Sequence, residues 1–251
     1  MDSKQRSNYV TSIADNHLIL GQRLGELCGH GPNLETDIAL TNIALDLFGQ
    51  TRSYYQYAAQ LDDAFASEDA VAFLRKEHEY HNVLLVEQPN THFGFVIGRQ
   101  FLFDAYHLLL LEQLQYSADA TLAAIAQKAI KEVRYHQRFS SDWLKRLGDG
   151  TEKSRKKMQE AIDALWRYTD ELFEMTPIDQ LAVDAGIGVD LHALRPMYYQ
   201  KISEVLEEAT LVLPETNYFQ KGGKQGRHTE HMGYLLADLQ YMQRTYPNMD
   251  W

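Results

Sequence analysis

Four acidic residues recur at nearly equal intervals. Asp46, Glu77, Asp104 and Glu132 are 31, 27 and 28 residues apart, in the stretches NIALDLFGQ, LRKEHEYHN, FLFDAYHLLL and AIKEVRYHQRF. With one acid on each of four long helices, the spacing predicts carboxylates gathered at one level of a helix bundle. Burying four like charges is costly, and bound metal ions are the usual reason for such an arrangement. Scattered helical acids are otherwise ordinary solvated charges. Asp104, set among Phe101, Leu102, Phe103 and Ala105, is the hardest of the four to place on a surface.

Di-iron carboxylate bundles use one Glu from each of two helices and a Glu-x-x-His from each of the other two. Against that template this chain reads Asp46, Glu77-x-x-Tyr80, Asp104 and Glu132-x-x-Tyr135. Order and spacing agree, but the ligand chemistry does not. Tyrosine stands at both histidine positions, and the shorter aspartate stands at both single-Glu positions. Oxygen-activating iron favours imidazole beside carboxylate, so the pattern predicts a vestigial site. Without metal the acids need another stabiliser: a raised pKa, a cation such as Arg52, Arg75 or Arg134, or a tyrosine hydroxyl. His78, His81, His107 and His136 lie within five residues of these acids and keep a metal-binding alternative open. A lone helical histidine is more often a hydrogen-bonded or surface residue than a ligand.

The elements that must carry these residues read as helices. The stretch 38–61 places Ile38, Leu45 and Phe48 on one stripe, flanked by Ile43 and Leu47, at helical period. The stretch 92–116 is apolar almost all round and predicts a helix central to its domain. Asp119 reads as the N-cap of a helix running to about 147 and closed by Gly148. Four long helices are expected at about 36–61, 67–87, 92–117 and 119–147. Flanking helices are expected at 7–28, 154–174, 190–209 and 229–245, with 176–189 and 211–228 the least regular parts. The fold class expected is all-α, a ferritin-like four-helix bundle with additional flanking helices. It is read as a single domain over 1–251 with its core bundle at about 36–147.

Composition narrows the function. The chain has 251 residues, 45% hydrophobic and 24% charged, and its formal net charge is −11. That field repels phosphate backbones, so nucleic acid is not an expected partner. A single cysteine, Cys28, excludes an internal disulfide. No apolar run approaches a membrane span, and the polar start MDSKQRSNYV has no signal-peptide core, so a cytoplasmic protein without a membrane partner is expected. The basic, glycine-rich stretch 221–231 precedes a helix with Thr229 as a candidate cap. A phosphate at that helix N-terminus is one reading, and a loop docking on a partner subunit is the favoured one. Tyr54, Tyr55, Tyr57, Tyr198 and Tyr199 suit either an interface or the wet ends of core helices.

The segments QRLGELCGHGP (22–32), NIALDLFGQ (42–50), LLVEQPN (84–90), KAIKEVRYHQRFS (128–140) and GGKQGRHTEHMG (222–233) are spread over most of the chain. In them the sequence resembles the structural, non-catalytic ferritin-like subunits of the bacterial 1,2-phenylacetyl-CoA epoxidases, also called phenylacetate-CoA oxygenases. The resemblance implies a scaffold that holds no cofactor itself. Its partner would be a homologous catalytic subunit that holds the di-iron centre and the acyl-CoA. A small subunit and a reductase with flavin, iron–sulfur cluster and NADPH would complete the complex, which epoxidises the aromatic ring in aerobic phenylacetate degradation. Asp46, Glu77, Tyr80, Asp104, Glu132 and Tyr135 then count as vestigial ligand positions, with no catalytic residue in this chain. A homodimer of the isolated chain stays open. A self-sufficient ferritin-like oxidase or oxygenase is the alternative, and a helical protein binding an apolar ligand is a third reading.

Overall fold

The computed structural model describes residues 1–216, 218–247 and 249. Among these the chain is all-α, with ten α-helices and no strand. They are α1 (Ser3–Gly25), α2 (Leu34–Leu61), α3 (Glu68–Phe73), α4 (Leu84–Glu87), α5 (Phe93–Leu114), α6 (Ala120–Gly148), α7 (Glu152–Trp166), α8 (Pro177–Asp184), α9 (Leu191–Glu208) and α10 (Glu230–Thr245). Two compact units emerge: Met1–Glu87 with Gly222–Trp251, and Gln88–Lys221.

The first unit is built on the α1–α2 hairpin. Asp2 caps α1 through a reciprocal exchange with Gln5, and Asn33 caps α2 by accepting from the Thr36 amide. The tight loop between the helices closes on Asp37, whose carboxylate accepts from the Gly29 and Gly31 amides. Ile43, Leu47 and Tyr54 supply the buried face of α2. The stripe Ile38–Leu45 points outward instead, with both residues exposed. Helical period locates such a stripe but does not say which of two apolar faces is covered.

The long helix expected at 67–87 does not form. Six residues of α3, a 3-10 turn at Glu77–Glu79 and the short α4 take its place. The cause is tertiary. Asp15 of α1 accepts from the His81 amide at 2.8 Å, and the Tyr80 hydroxyl donates to the Ala72 carbonyl at 2.5 Å. Partners outside the helical ladder thus satisfy backbone groups that a continuous helix would have paired internally.

The second unit is built on the α5–α6 hairpin, with α7 and α9 packed on it. α5 is buried along nearly its whole length, including Phe101, Leu102, Phe103, Leu110 and Leu111, as an all-round apolar helix must be. Asp119 caps α6 by accepting from the Thr121 and Leu122 amides, as its position in the sequence predicts. The rings of Tyr106, Phe173 and Tyr198 pack edge-on beneath α9. The segment 176–189, expected to be irregular, holds α8, whose Thr176–Asp179 capping box and Pro177 at the first turn start it.

Candidate functional site

Three buried polar networks organise the two units. In the second unit Asp104 lies at 0% exposure on α5. Its carboxyl accepts from Gln100 Nε2 at 2.7 Å and from Ser140 Oγ of α6 at 2.8 Å. Burial pushes its pKa up to about 6, although the His136 charge and both hydrogen bonds pull the other way. Ser140 opposite Asp104, and Arg134 ion-paired with Glu112, set the antiparallel register of α5 against α6. Glu132 is eight residues from Ser140, or about 12 Å along the helix. It is therefore level with Glu112 and not with Asp104, and the two carboxylates do not share a level.

The second network is in the first unit. Asp15, fully buried on α1, receives both terminal nitrogens of Arg75 at 2.5 and 3.1 Å, the Tyr55 hydroxyl at 2.5 Å and the His81 amide. Arg75 also donates to the carbonyls of Val71 and Glu79, and lies 4.0 Å over the Tyr80 ring. Burial opposes its charge, but Asp15 and Tyr55 hold the guanidinium pKa above its ordinary value. The Tyr80 hydroxyl is pushed up to about 12, chiefly by burial, and accepts from Gln240 of α10. Arg75 therefore stabilises Asp15 and none of the four template acids. Arg52 pairs with Glu68, and Arg134 with Glu112.

The third network joins two distant segments of the same unit. Glu87 at the end of α4 is 0% exposed. It takes hydrogen bonds from Asn82 Nδ2 at 2.9 Å, and from the Thr229 amide at 2.8 Å and hydroxyl at 2.7 Å, and it pairs with His228 Nδ1 at 2.6 Å. The His228 pKa is raised: burial opposes the cation, but the hydrogen bond and charge of Glu87 overcome it. Gly226, at φ +73°, rests on the His78 carbonyl so closely that a Cβ would collide with it. The start of α10 is thus filled by the chain's own carboxylate. The phosphate reading of 221–231 therefore does not fit, and residues 222–229 dock on their own unit while Gln225 and Arg227 stay exposed.

The template positions have unlike surroundings. Asp46 is half-buried on α2, and Glu77 is exposed on the 3-10 turn. Tyr80 is buried in the Arg75 network. Asp104 is closed off by Gln100 and Ser140, Glu132 is half-buried, and Tyr135 is 41% exposed. Of the nearby histidines, His107 and His136 are buried, His81 is partly buried and His78 is exposed. Among the described residues no three histidine, cysteine, aspartate or glutamate side chains are grouped to hold a metal ion. The donor set does not fit a di-iron centre.

Sequence reasoning missed Asp15 and Glu87 as buried acids. Each had a signal: Asp15 sits in TSIADNHLIL, and Glu87 in the apolar run VLLVEQ.

The chain matches the family described as phenylacetic acid catabolic protein over residues 1–251. The chain belongs to this family. It is also 49% identical over 247 residues to the C subunit of the 1,2-phenylacetyl-CoA epoxidase of Escherichia coli (strain K12), covering 98% of this chain and 99% of that protein. Family membership places the chain in phenylacetate catabolism and agrees with its all-α, ferritin-like fold class. Two segments that carried the resemblance, LLVEQPN and GGKQGRHTEHMG, are those that Glu87, His228 and Thr229 tie together. Among the described residues no helix is long and apolar enough to cross a membrane.

Asp104 makes a pH-dependent contribution to the fold. Its folded pKa of about 6 lies above the ordinary 3.8, so its favourable contribution is complete below pH 3.8 and lost as pH rises through 6. The shift corresponds to about 3 kcal/mol. Asp104→Asn is expected to gain on the wild type by about that much between pH 4 and pH 8. Denaturant titrations of both proteins across that range check it, and parallel stability curves would show that the carboxyl is solvated.

Proposed function

We propose that this chain is a non-catalytic structural subunit of a multicomponent di-iron monooxygenase that epoxidises the ring of phenylacetyl-CoA, supporting a homologous catalytic subunit. The observation that carries the reading is the scatter of the template positions. Asp104 is enclosed with Gln100 and Ser140, Glu132 lies about two turns away along α6, Glu77 is exposed and tyrosine stands at both histidine positions. Among the described residues no three metal-ligating side chains are grouped. The relative's description as an epoxidase subunit supports a multi-subunit assembly. In this reading the di-iron centre and acyl-CoA belong to the catalytic subunit, and flavin, iron–sulfur cluster and NADPH to a reductase. The assembly also includes a small subunit, and its supply of NADPH and acyl-CoA puts it in the cytoplasm.

Iron per chain tests this. After anaerobic reconstitution with excess Fe(II) and desalting, elemental mass spectrometry is expected to find iron near zero. A value near two per chain would favour the self-sufficient oxygenase, as would oxygen-dependent turnover by the chain alone.

A further inference from the structure

The outward face of α2 has no role in either buried network of its unit. Leu34, Ile38 and Leu45 are 70, 50 and 60% exposed, and with Gly49 they repeat at intervals of four, seven and four residues. That is the spacing of a helix seam. At Gly49 an added Cβ would meet nothing within 4 Å, so a second backbone can approach closely there. Toward its C-terminal half the seam runs into a cleft of about 470 Å³ floored by Leu18, Phe48, Phe73 and Leu239. Arg52, Glu68 and Asp69 stand at the cleft's edge.

The charges around this surface say what fits it. α2 carries Glu35, Asp37 and Asp46 against a single base, Arg52, and that base is engaged by Glu68. Asp69 is exposed beside the cleft. A second copy of this chain, with net charge −11, would set acids against acids across a self-complementary contact. A helix from a different chain, with apolar residues at seam spacing and lysine or arginine along its edges, meets both the apolar stripe and the acidic flanks.

We propose that the exposed face of α2, from Leu34 to Gly49 and on into the Phe48–Phe73 cleft, is the docking surface for a basic-edged amphipathic helix of a partner chain. This deepens the subunit reading above and rests on it, the partner being the homologous catalytic subunit.

The test is association of the full chain with that catalytic subunit, followed by size-exclusion light scattering and titration at low and high salt. Leu45→Lys is expected to weaken association about tenfold or more. Glu35→Lys combined with Asp69→Lys is expected to weaken it several-fold at low salt, with the difference fading at high salt. Tyr116→Lys, on a residue 79% exposed in the other unit, is the matched control and should bind as the wild type does. All these positions are exposed, and unchanged circular dichroism confirms folding. Wild-type affinity in both the Leu45→Lys and the Glu35→Lys/Asp69→Lys variants overturns the docking surface and leaves the subunit reading standing. Failure of the wild type to associate overturns both. Self-association of the wild type that Leu45→Lys abolishes replaces the proposed occupant with a second copy.

Discussion

Arg75→Met is expected to destabilise the first unit by about 3–5 kcal/mol, the usual cost of removing one partner from a buried ion pair. Asp15 would be left fully buried without its cation, with only the Tyr55 hydroxyl and the His81 amide bonded to it. The loss is amplified because Arg75 also ties down the carbonyls of Val71 and Glu79, which hold the chain where it leaves α3. The Asp15→Leu/Arg75→Met double variant should recover much of the loss, since apolar replacement of both partners removes the unpaired charge. Denaturant unfolding gives the magnitude, and hydrogen exchange at the His81 amide localises it. A loss under about 1 kcal/mol would place the pair in the range of solvated surface bridges and remove its structural role.

Glu87→Ala is the second large effect. It strands the Thr229 amide and hydroxyl, leaves Asn82 Nδ2 with only the Val83 carbonyl, and takes away the partner of a buried histidine. Each buried donor left without an acceptor costs about 1–3 kcal/mol, so a total near 3–5 kcal/mol is expected. The segment 222–229 and the first turn of α10 should lose exchange protection first, since Glu87 is what seats them. The effect has a pH signature. The His228 pKa is raised above its ordinary 6.5, so the stabilisation it draws from Glu87 is complete below 6.5 and lost as pH rises through the folded value. The gap between wild type and Glu87→Ala should therefore narrow on the alkaline side. A gap constant from pH 6 to 9 would mean that the pair is held by neutral hydrogen bonds alone.

Several features were legible in the sequence because local chemistry decides them. α5 is apolar on every side and has no alternative to burial. The Asp119 cap precedes an uninterrupted periodic run, and Asp104 sits between large apolar residues that no surface would accommodate together. Family membership was legible too, because it rests on residue identity along the chain.

Other features depend on partners distant in sequence. The break at 74–83 is made by Asp15, some 60 residues upstream, and by Gln240, about 160 residues downstream. No window around residue 77 contains that information. The same holds for the pairing of Glu87 with His228, 141 residues apart: the apolar run around Glu87 marks it for burial but does not name its partner. Equal spacing of Asp104 and Glu132 suggested a common level. Helical spacing, however, counts residues along the chain, while the register of α5 on α6 is set by which side chains meet across the hairpin. The outward stripe of α2 shows the same limit. Period alone identified a helix with apolar residues on more than one face, and only packing chose Ile43 and Leu47 for the interior and left Ile38 and Leu45 outside. Secondary structure, caps and kinship were thus largely determined by the sequence itself, because each depends on neighbours within a few turns or on residue identity. The pairing of buried charges, the register and the choice of covered face were decided only by the tertiary structure, because each is a competition among contacts that exist only once the chain has closed on itself.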